Sequence, residues 1–380
     1  MVICGNEFAM THVMNAADKA AAAGDAPALC QALRAARALM VAAREMQNEF
    51  FRESGAKRCV ELLGSMGSRA GVTAALCRAA DAATHKFENN KCAFYDQGFV
   101  LAAVDVLRRG EYDDETCKAI ANLLGNTCQN DDVKAPGSRA FAIGVELGSN
   151  TDMGEVILGA LRRETAGAGD EAVVCSLLRC VQRTSVNSDI SGKFAEMGGL
   201  DDALRGASAN GATARVLTAT FKMLGQVTGN DDIRLQLVSK GLLELVPAVC
   251  AAFPSDPKVL EPALRVTGMV LLRNPDAAAR AHGAGVLDAA VRAILECPGE
   301  AGVCRQVCQV VRNAVVRTPS LRDVLLAAED GGLEAALRKA RIQHADCKDV
   351  GGAALRDLGL EYHGDTEKND GSLDYYYSAL

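Results

Sequence analysis

Three long cationic side chains recur at one interval: Arg179, Lys222 and Arg265 stand 43 residues apart. Arg183 follows Arg179 by one helical turn and would share its side of a helix. Arg305 and Arg312 are two turns apart farther along and would extend the row, and Arg37 and Arg44 repeat that spacing near the amino end. A guanidinium binds carboxylate or phosphate through a planar fork that meets both oxygens. Cations in register on one face would therefore hold an extended acidic or phosphorylated segment. A single exposed arginine is more ordinarily a solvated head on a packed stem. Exposed pairs contribute little singly, so orientation and association rate would come from the register.

No comparable pattern suggests catalysis. Gly167 opens GAGDEA, a loose GxGxxA, but it follows a predicted helix and not the strand that dinucleotide binding needs. His344 and Cys347 have metal-ligand spacing with no second pair nearby. His12, His85 and His282 have no acid or nucleophile partner in their local sequence. A P-loop, an HExxH and a GxSxG are absent. The expectation is a protein that is not an enzyme, with no cofactor and no metal.

The elements that would position the cations are helices. The 380 residues are rich in Ala, Leu and Val, with no Trp and 4% aromatics, which favours helix over strand. With 49% apolar residues the chain can bury a core. A net charge of −7 argues against a general nucleic-acid coat and leaves a local basic face open. The 14 cysteines are dispersed, without CxxC pairs, and read as reduced buried thiols. The opening MVICGNEFAMTHVM lacks a basic region followed by an apolar run, so no leader is expected, and the compartment would be cytoplasmic or nuclear. No eighteen-residue apolar run is present, so no membrane span is expected.

A repeat organises these helices. ANLLGNTCQNDD from Ala121 returns as FKMLGQVTGNDD from Phe221. A glycine followed by an apolar run recurs at Gly55, Gly98, Gly154, Gly199, Gly241, Gly285 and Gly332, with gaps of 43, 56, 45, 42, 44 and 47 residues. Each unit reads as a short first helix ending at the glycine, a second helix of 3.6-residue period, a polar loop, and a long apolar third helix. The glycine would turn the corner. Leu124 and Leu224 would pack, Gly125 and Gly225 would let helices approach, and the Asp131–Asp132 and Asp231–Asp232 pairs would cap. Ser320 and Asp323 resemble a capping box. The long gap contains KAPGSRAFAIGVELGSN, an insertion in one unit. No unit could bury its apolar face alone, so stacking would create one continuous core.

The period, with the motifs EMGGLDDAL and EDGGLEAAL, resembles the armadillo-repeat family, and CQVVRNAVVR from Cys308 and HADCKDVGGAALRDLG from His344 resemble one subfamily of it. The fold so implied is all-α, a right-handed armadillo-type α-solenoid of three-helix repeats. Residues 1–47 would be amino-terminal helices and a partial repeat, 48–360 about seven repeats with the insertion near 133–152, and 361–380 an acidic, flexible tail bearing Tyr375, Tyr376 and Tyr377. In that family third helices line a groove, and importin-like members carry there a Trp and, one turn on, an Asn that grips a partner's backbone. This chain has no Trp. The Asn position matches Asn126 and Asn313 here and is Arg183 and Gln226 in two other units. Import-cargo binding is thereby disfavoured.

The seven third-helix runs (26–48, 70–87, 113–129, 170–186, 212–229, 256–273 and 301–317) carry 16 Lys and Arg against 9 Asp and Glu. Six of those acids lie in first turns, where the helix dipole favours them. The expected function is a scaffold binding an extended acidic segment of a protein partner. The expected groove comprises Asn122, Asn126, Arg179, Arg183, Lys222, Gln226, Arg265, Arg305, Arg312 and Asn313. One alternative is an RNA or polyanion adaptor on the same face, which scarce aromatics disfavour. Another is a structural subunit of a large assembly. The tail's end, Ser378-Ala379-Leu380, resembles a PDZ ligand and lacks the basic residue of a peroxisomal signal.

Overall fold

The structure is a computed structural model. It describes residues 8–360 except 111, 134–137, 168 and 210–211. The tail and its tyrosines lie outside the described residues. The chain divides into two compact units, 1–233 and 234–380. Among the described residues every regular element is helical.

The first unit opens with α1 (Ala9–Ala22) and α2 (Ala26–Ala42). Sets of first, second and third helices follow. They are α3 (Arg44–Arg52), α4 (Gly55–Met66) and α5 (Val72–Thr84); α6 (Glu88–Asp96), α7 (Phe99–Arg109) and α8 (Asp114–Thr127); α9 (Ala140–Ser149), α10 (Thr151–Thr165) and α11 (Glu171–Thr184); and α12 (Ser188–Glu196), α13 (Gly199–Ser208) and α14 (Ala214–Val227). The unit boundary falls within α15 (Asp231–Ser239). The second unit continues with α16 (Leu242–Ala252) and α17 (Pro257–Leu271), then α18 (Pro275–Gly283), α19 (Val286–Glu296) and α20 (Ala301–Val315), and closes with α21 (Arg322–Ala327), α22 (Leu333–Gln343) and α23 (Lys348–Asp357).

Within the first unit α2, α5, α8, α11 and α14 pack in succession, and within the second α17, α20 and α23 do so. Their faces are apolar at helical spacing, as at Leu29, Leu33, Ala36 and Met40 of α2 or Leu217, Phe221 and Leu224 of α14, all buried. Third-helix starts are fixed by side chains that satisfy first-turn N–H groups: Asp25, Asp113, Asp170, Thr213 and Asp256 each accept one or more. Asn187 and Asn274 do the same for α12 and α18.

Several local expectations need correction. Run 26–48 is two helices, because Ala43 is extended (φ −150°). Gly154 lies inside α10, and the corner before it is turned at Asn150, which caps α10. Ser320 and Asp323 form no capping box, since neither α21 nor the turn before it has a side-chain cap. The residues read as an insertion include α9, which takes the first-helix place.

The paired glycines of EMGGLDDAL divide two tasks. Gly198 turns the corner at φ +82°, as Gly98, Gly241 and Gly285 do at theirs. Gly199 leaves room for a ring: a Cβ there would lie 2.3 Å from Phe194, and one at Gly55 would lie 2.3 Å from Phe50. Gly199→Ala should therefore lower stability by about 1–3 kcal/mol through overpacking. Gly159→Ala, in α10 where a Cβ meets nothing within 4 Å, should raise it by roughly 0.5–1 kcal/mol. Urea unfolding of both variants checks the contrast.

The duplicated phrase has two structural fates. In the second copy Asn230 caps, its Oδ1 accepting from the N–H groups of Asp232 and Ile233, and Asp231 and Asp232 fill the first turn. In the first copy the aspartates do not cap, because α9 begins only at Ala140. Asp132 instead accepts from Arg44 Nη2 at 2.8 and 3.0 Å and from the Glu88 N–H at 2.9 Å. Asp131 pairs with Lys91, whose side chain is 0% exposed and also donates to the Gln129 carbonyl. The Glu88 carboxylate then accepts from the N–H groups of Arg139 and Ala140 and caps α9 from outside. Asp132→Ala strands the Glu88 N–H and an Arg44 donor and should cost about 1–3 kcal/mol. Asp232→Ala, on an exposed first turn, should cost no more than about 1 kcal/mol. Equal losses in paired denaturation curves would refute this division.

Candidate partner-binding face

The first unit's third helices present one face with a hollow of about 580 Å³ over α2, α5 and α8. Arg34, Arg37, Arg78, Asp81, Lys118 and Asn122 are among the residues that line it. Charge there is mixed, since Glu115 pairs with both Arg78 and Lys118. Arg44 is not on offer: it is held by Asp132, with its guanidinium 5.0 Å from the Phe87 ring centre. Arg37 is exposed and has no ion-pair partner among the described residues. Asp81, on α5, is an acid within this face that the charge count of the third helices does not single out. Its carboxyl is raised above the usual range, first by burial, against an opposing hydrogen bond from Asn126 and the nearby charges of Arg183, His85 and Arg37.

On the adjoining α11 and α14, Arg179 and Lys222 are exposed, while Arg183 is half-buried. Arg179 Nε donates to the Cys175 carbonyl of its own helix. Among the described residues Lys222 and Arg183 have neither an ion-pair partner nor a hydrogen-bond acceptor. The stem of Arg183 crosses α8 over Gly125, where a Cβ would lie 3.1 Å from Arg183 Cδ and 3.3 Å from Cys180 Cα. Gly125 thus admits both the helix and the arginine. Burial lowers the basicity of Arg183, as does the charge of Arg179, and Asp81 and Asp131 only partly compensate. A partly desolvated cation beside a second cation, with no acceptor of its own, favours an arriving anion.

The amides were expected to serve a partner and do not. Asn126 is buried and donates to the Asp81 carbonyl (3.1 Å) and Thr84 Oγ1 (3.3 Å). Gln226 donates to the Ser185 carbonyl (3.0 Å). In the second unit Asn313 donates to the Gly268 carbonyl (2.7 Å). Each bonds the carboxyl end of the preceding third helix. Asn122, half-buried, remains on the hollow's wall.

In the second unit Arg265 on α17 and Arg305 on α20 are exposed and unpaired among the described residues. Arg305 lies eight residues before Asn313, whose amide meets α17 three residues past Arg265. It therefore stands about one turn nearer the helix amino ends than a strict ladder requires. Gln309 fills the ladder position, and its Oε1 is buried without a donor. Arg312 is drawn off by Asp357, 3.1 Å away. The ten expected residues thus fall on two units, six on the first and four on the second.

Cysteine chemistry is inert over most of the fold: all the described cysteines but half-buried Cys92 are buried. Burial pushes the Cys59 and Cys128 thiols up to about 12. His344 Nε2 lies 2.9 Å from the Pro298 carbonyl, and no metal-competent cluster exists among the described residues. No single helix there is long and apolar enough to cross a membrane.

No family model matches this chain, and no curated protein matches it in sequence. Solved structures do share its fold. A beta-catenin structure, from work on a phosphorylation switch controlling the interaction between cadherin and beta-catenin, aligns over 93% of this chain and 61% of its own, with TM-score 0.64 and 14% identity. An engineered protein aligns over 94% and 92%, with TM-score 0.58 and 16% identity. A designed armadillo repeat protein, in complex with the peptide (KR)4, aligns over 70% and 100%, with TM-score 0.53 and 14% identity. The chain has an all-α, armadillo-like solenoid fold.

Asp81 yields a pH test. Its raised carboxyl makes the folded state bind a proton more readily than the unfolded one, so wild-type stability falls as pH rises from the ordinary aspartate range through the raised one. Asp81→Asn lacks that slope. The stability of Asp81→Asn relative to wild type should therefore climb across this window, and a flat difference in denaturant titrations would count against a buried carboxylate here.

Proposed function

We propose that this chain is a non-enzymatic protein-interaction scaffold that binds an extended acidic or phosphorylated segment of a partner across its third helices. Arg179, Arg183 and Lys222 supply the contacts on the first unit; Arg265 is exposed on the second unit's own third-helix face. The observation that carries this reading is Arg183. It occupies the register at which Asn126 and Gln226 close onto the preceding helix, yet it reaches no acceptor and lies half-buried beside Arg179. The peptide (KR)4 complex, and the cadherin interaction that the beta-catenin structure concerns, support partner binding on this fold. The (KR)4 peptide is basic, so the ligand's charge follows the side chains of each face and not the fold; here the unpaired side chains are cations. Within the armadillo-repeat resemblance, the carboxyl-terminal motifs favour the subfamily of armadillo-repeat-containing protein six. The buried thiols fit a reducing compartment, cytoplasmic or nuclear.

The test uses a Glu-rich peptide with and without phosphoserine, titrated against full-length protein by fluorescence anisotropy. Binding should be lost in Arg179→Glu/Arg183→Glu/Lys222→Glu while the far-UV circular dichroism is unchanged. Unaltered affinity in that variant would overturn the proposal. An RNA oligonucleotide bound more tightly than either peptide, with a steep salt slope, would move the assignment to a polyanion adaptor.

A further inference from the structure

We propose that the acidic segment 361–380 of this same chain is itself a ligand of the third-helix face of the second unit, docked in cis on Arg265 and Arg305. This rests on the groove reading above and names an occupant for it. The segment carries Glu361, Asp365, Glu367, Asp370 and Asp374 against Lys368 alone. It follows directly on α23, which packs against α20. Its point of departure is set by a Schellman turn: the Leu360 N–H bonds the Leu355 carbonyl, the Gly359 N–H bonds the Arg356 carbonyl, and Gly359 has φ +82°. That turn takes the chain off the helix axis instead of prolonging it.

The surface near that exit is arginine-rich. Arg312 pairs with Asp357, and Arg322 Nε donates to the Asp357 carbonyl at 2.8 Å. Arg265, Arg305 and Arg317 are exposed and have no ion-pair partner among the described residues. On the side of α20 that carries Arg305, one turn on, Gln309 Oε1 is buried without a donor. An extended segment crossing α20 offers carboxylates to the exposed arginines that flank it. Reach is ample. Twenty extended residues span up to roughly 66 Å, whereas packed helix axes are about 8–10 Å apart. Tethering supplies an effective concentration on the order of millimolar, which a free acidic partner must exceed to compete.

Hydrogen exchange followed by mass spectrometry on the full-length chain tests this, with a synthetic 361–380 peptide as the unbound standard. Amides of 361–380 should exchange several-fold more slowly in the protein than in the free peptide. The protection should vanish in Arg265→Glu/Arg305→Glu, in Asp370→Lys/Asp374→Lys and at high salt. It should return, at least in part, when the two double reversals are combined. Exchange at the free-peptide rate in the wild-type protein at low salt overturns the proposal. So does protection that grows with protein concentration, which would assign the occupant to a second copy. If the tail is unprotected but the Glu-rich peptide still binds through Arg179, Arg183 and Lys222, the cis occupant alone falls. If that peptide fails as well, the groove reading falls with it.

Discussion

An amide reaching from one third helix to the backbone of the one before sets the register of these stacks. Asn126 meets the Asp81 carbonyl and Gln226 the Ser185 carbonyl in the first unit, and Asn313 meets the Gly268 carbonyl in the second. All three acceptors lie in the last turn or at the cap of the preceding helix, and the Asp81 carbonyl accepts the His85 N–H as well. Asn126 and Asn313 are buried, so the bond also satisfies an amide that water does not reach, whereas Gln226 is exposed. In the second unit the approach is close at Gly268, where a Cβ would lie 3.7 Å from Gln309 Cβ. Apolar burial drives the stacking, and these amides select the one offset at which it occurs.

The linker between α8 and α9 shows how a repeat absorbs a change in length. Without a first helix immediately after it, the Asn-Asp-Asp phrase is free of capping. Its carboxylates turn back onto earlier sets, to Lys91 of the preceding one and to Arg44 of the one before that. Glu88 completes the arrangement by capping α9 from α6. The five charged groups Arg44, Glu88, Lys91, Asp131 and Asp132 are each paired or hydrogen-bonded, as burial requires.

The same register explains what the face offers a partner. Where an amide occupies the closing position it is consumed by the chain's own backbone. Where arginine occupies it, at Arg183, the guanidinium is too long for that bond; its stem lies over Gly125 and its head stays without an acceptor. Beside it stand the exposed cations Arg179 and Lys222; of the acids that act on it, Asp81 is covered and Asp131 is paired with Lys91. One departure from the stacking rule is therefore what leaves a guanidinium unpaired on this face.

Helical content, the recurring corner glycines and the charge bias of the third helices were legible in the chain itself. They depend on local propensity and on a period that any reader can count, as Gly98, Gly241 and Gly285 show. Which member of a charge pair is free was not legible. Arg44, Arg312 and Arg179 look alike as letters, but the first is held by Asp132, the second by Asp357, and the third stands open because no acid packs near it. Nor could the phrase NDD announce that one copy caps and the other clamps. Partners 40 to 90 residues apart are brought together only by stacking, and that is a property of the folded chain. Residue type and period determined the helices and their order; the offset between neighbouring helices decided which polar groups are spent inside the protein and which remain for something else to bind.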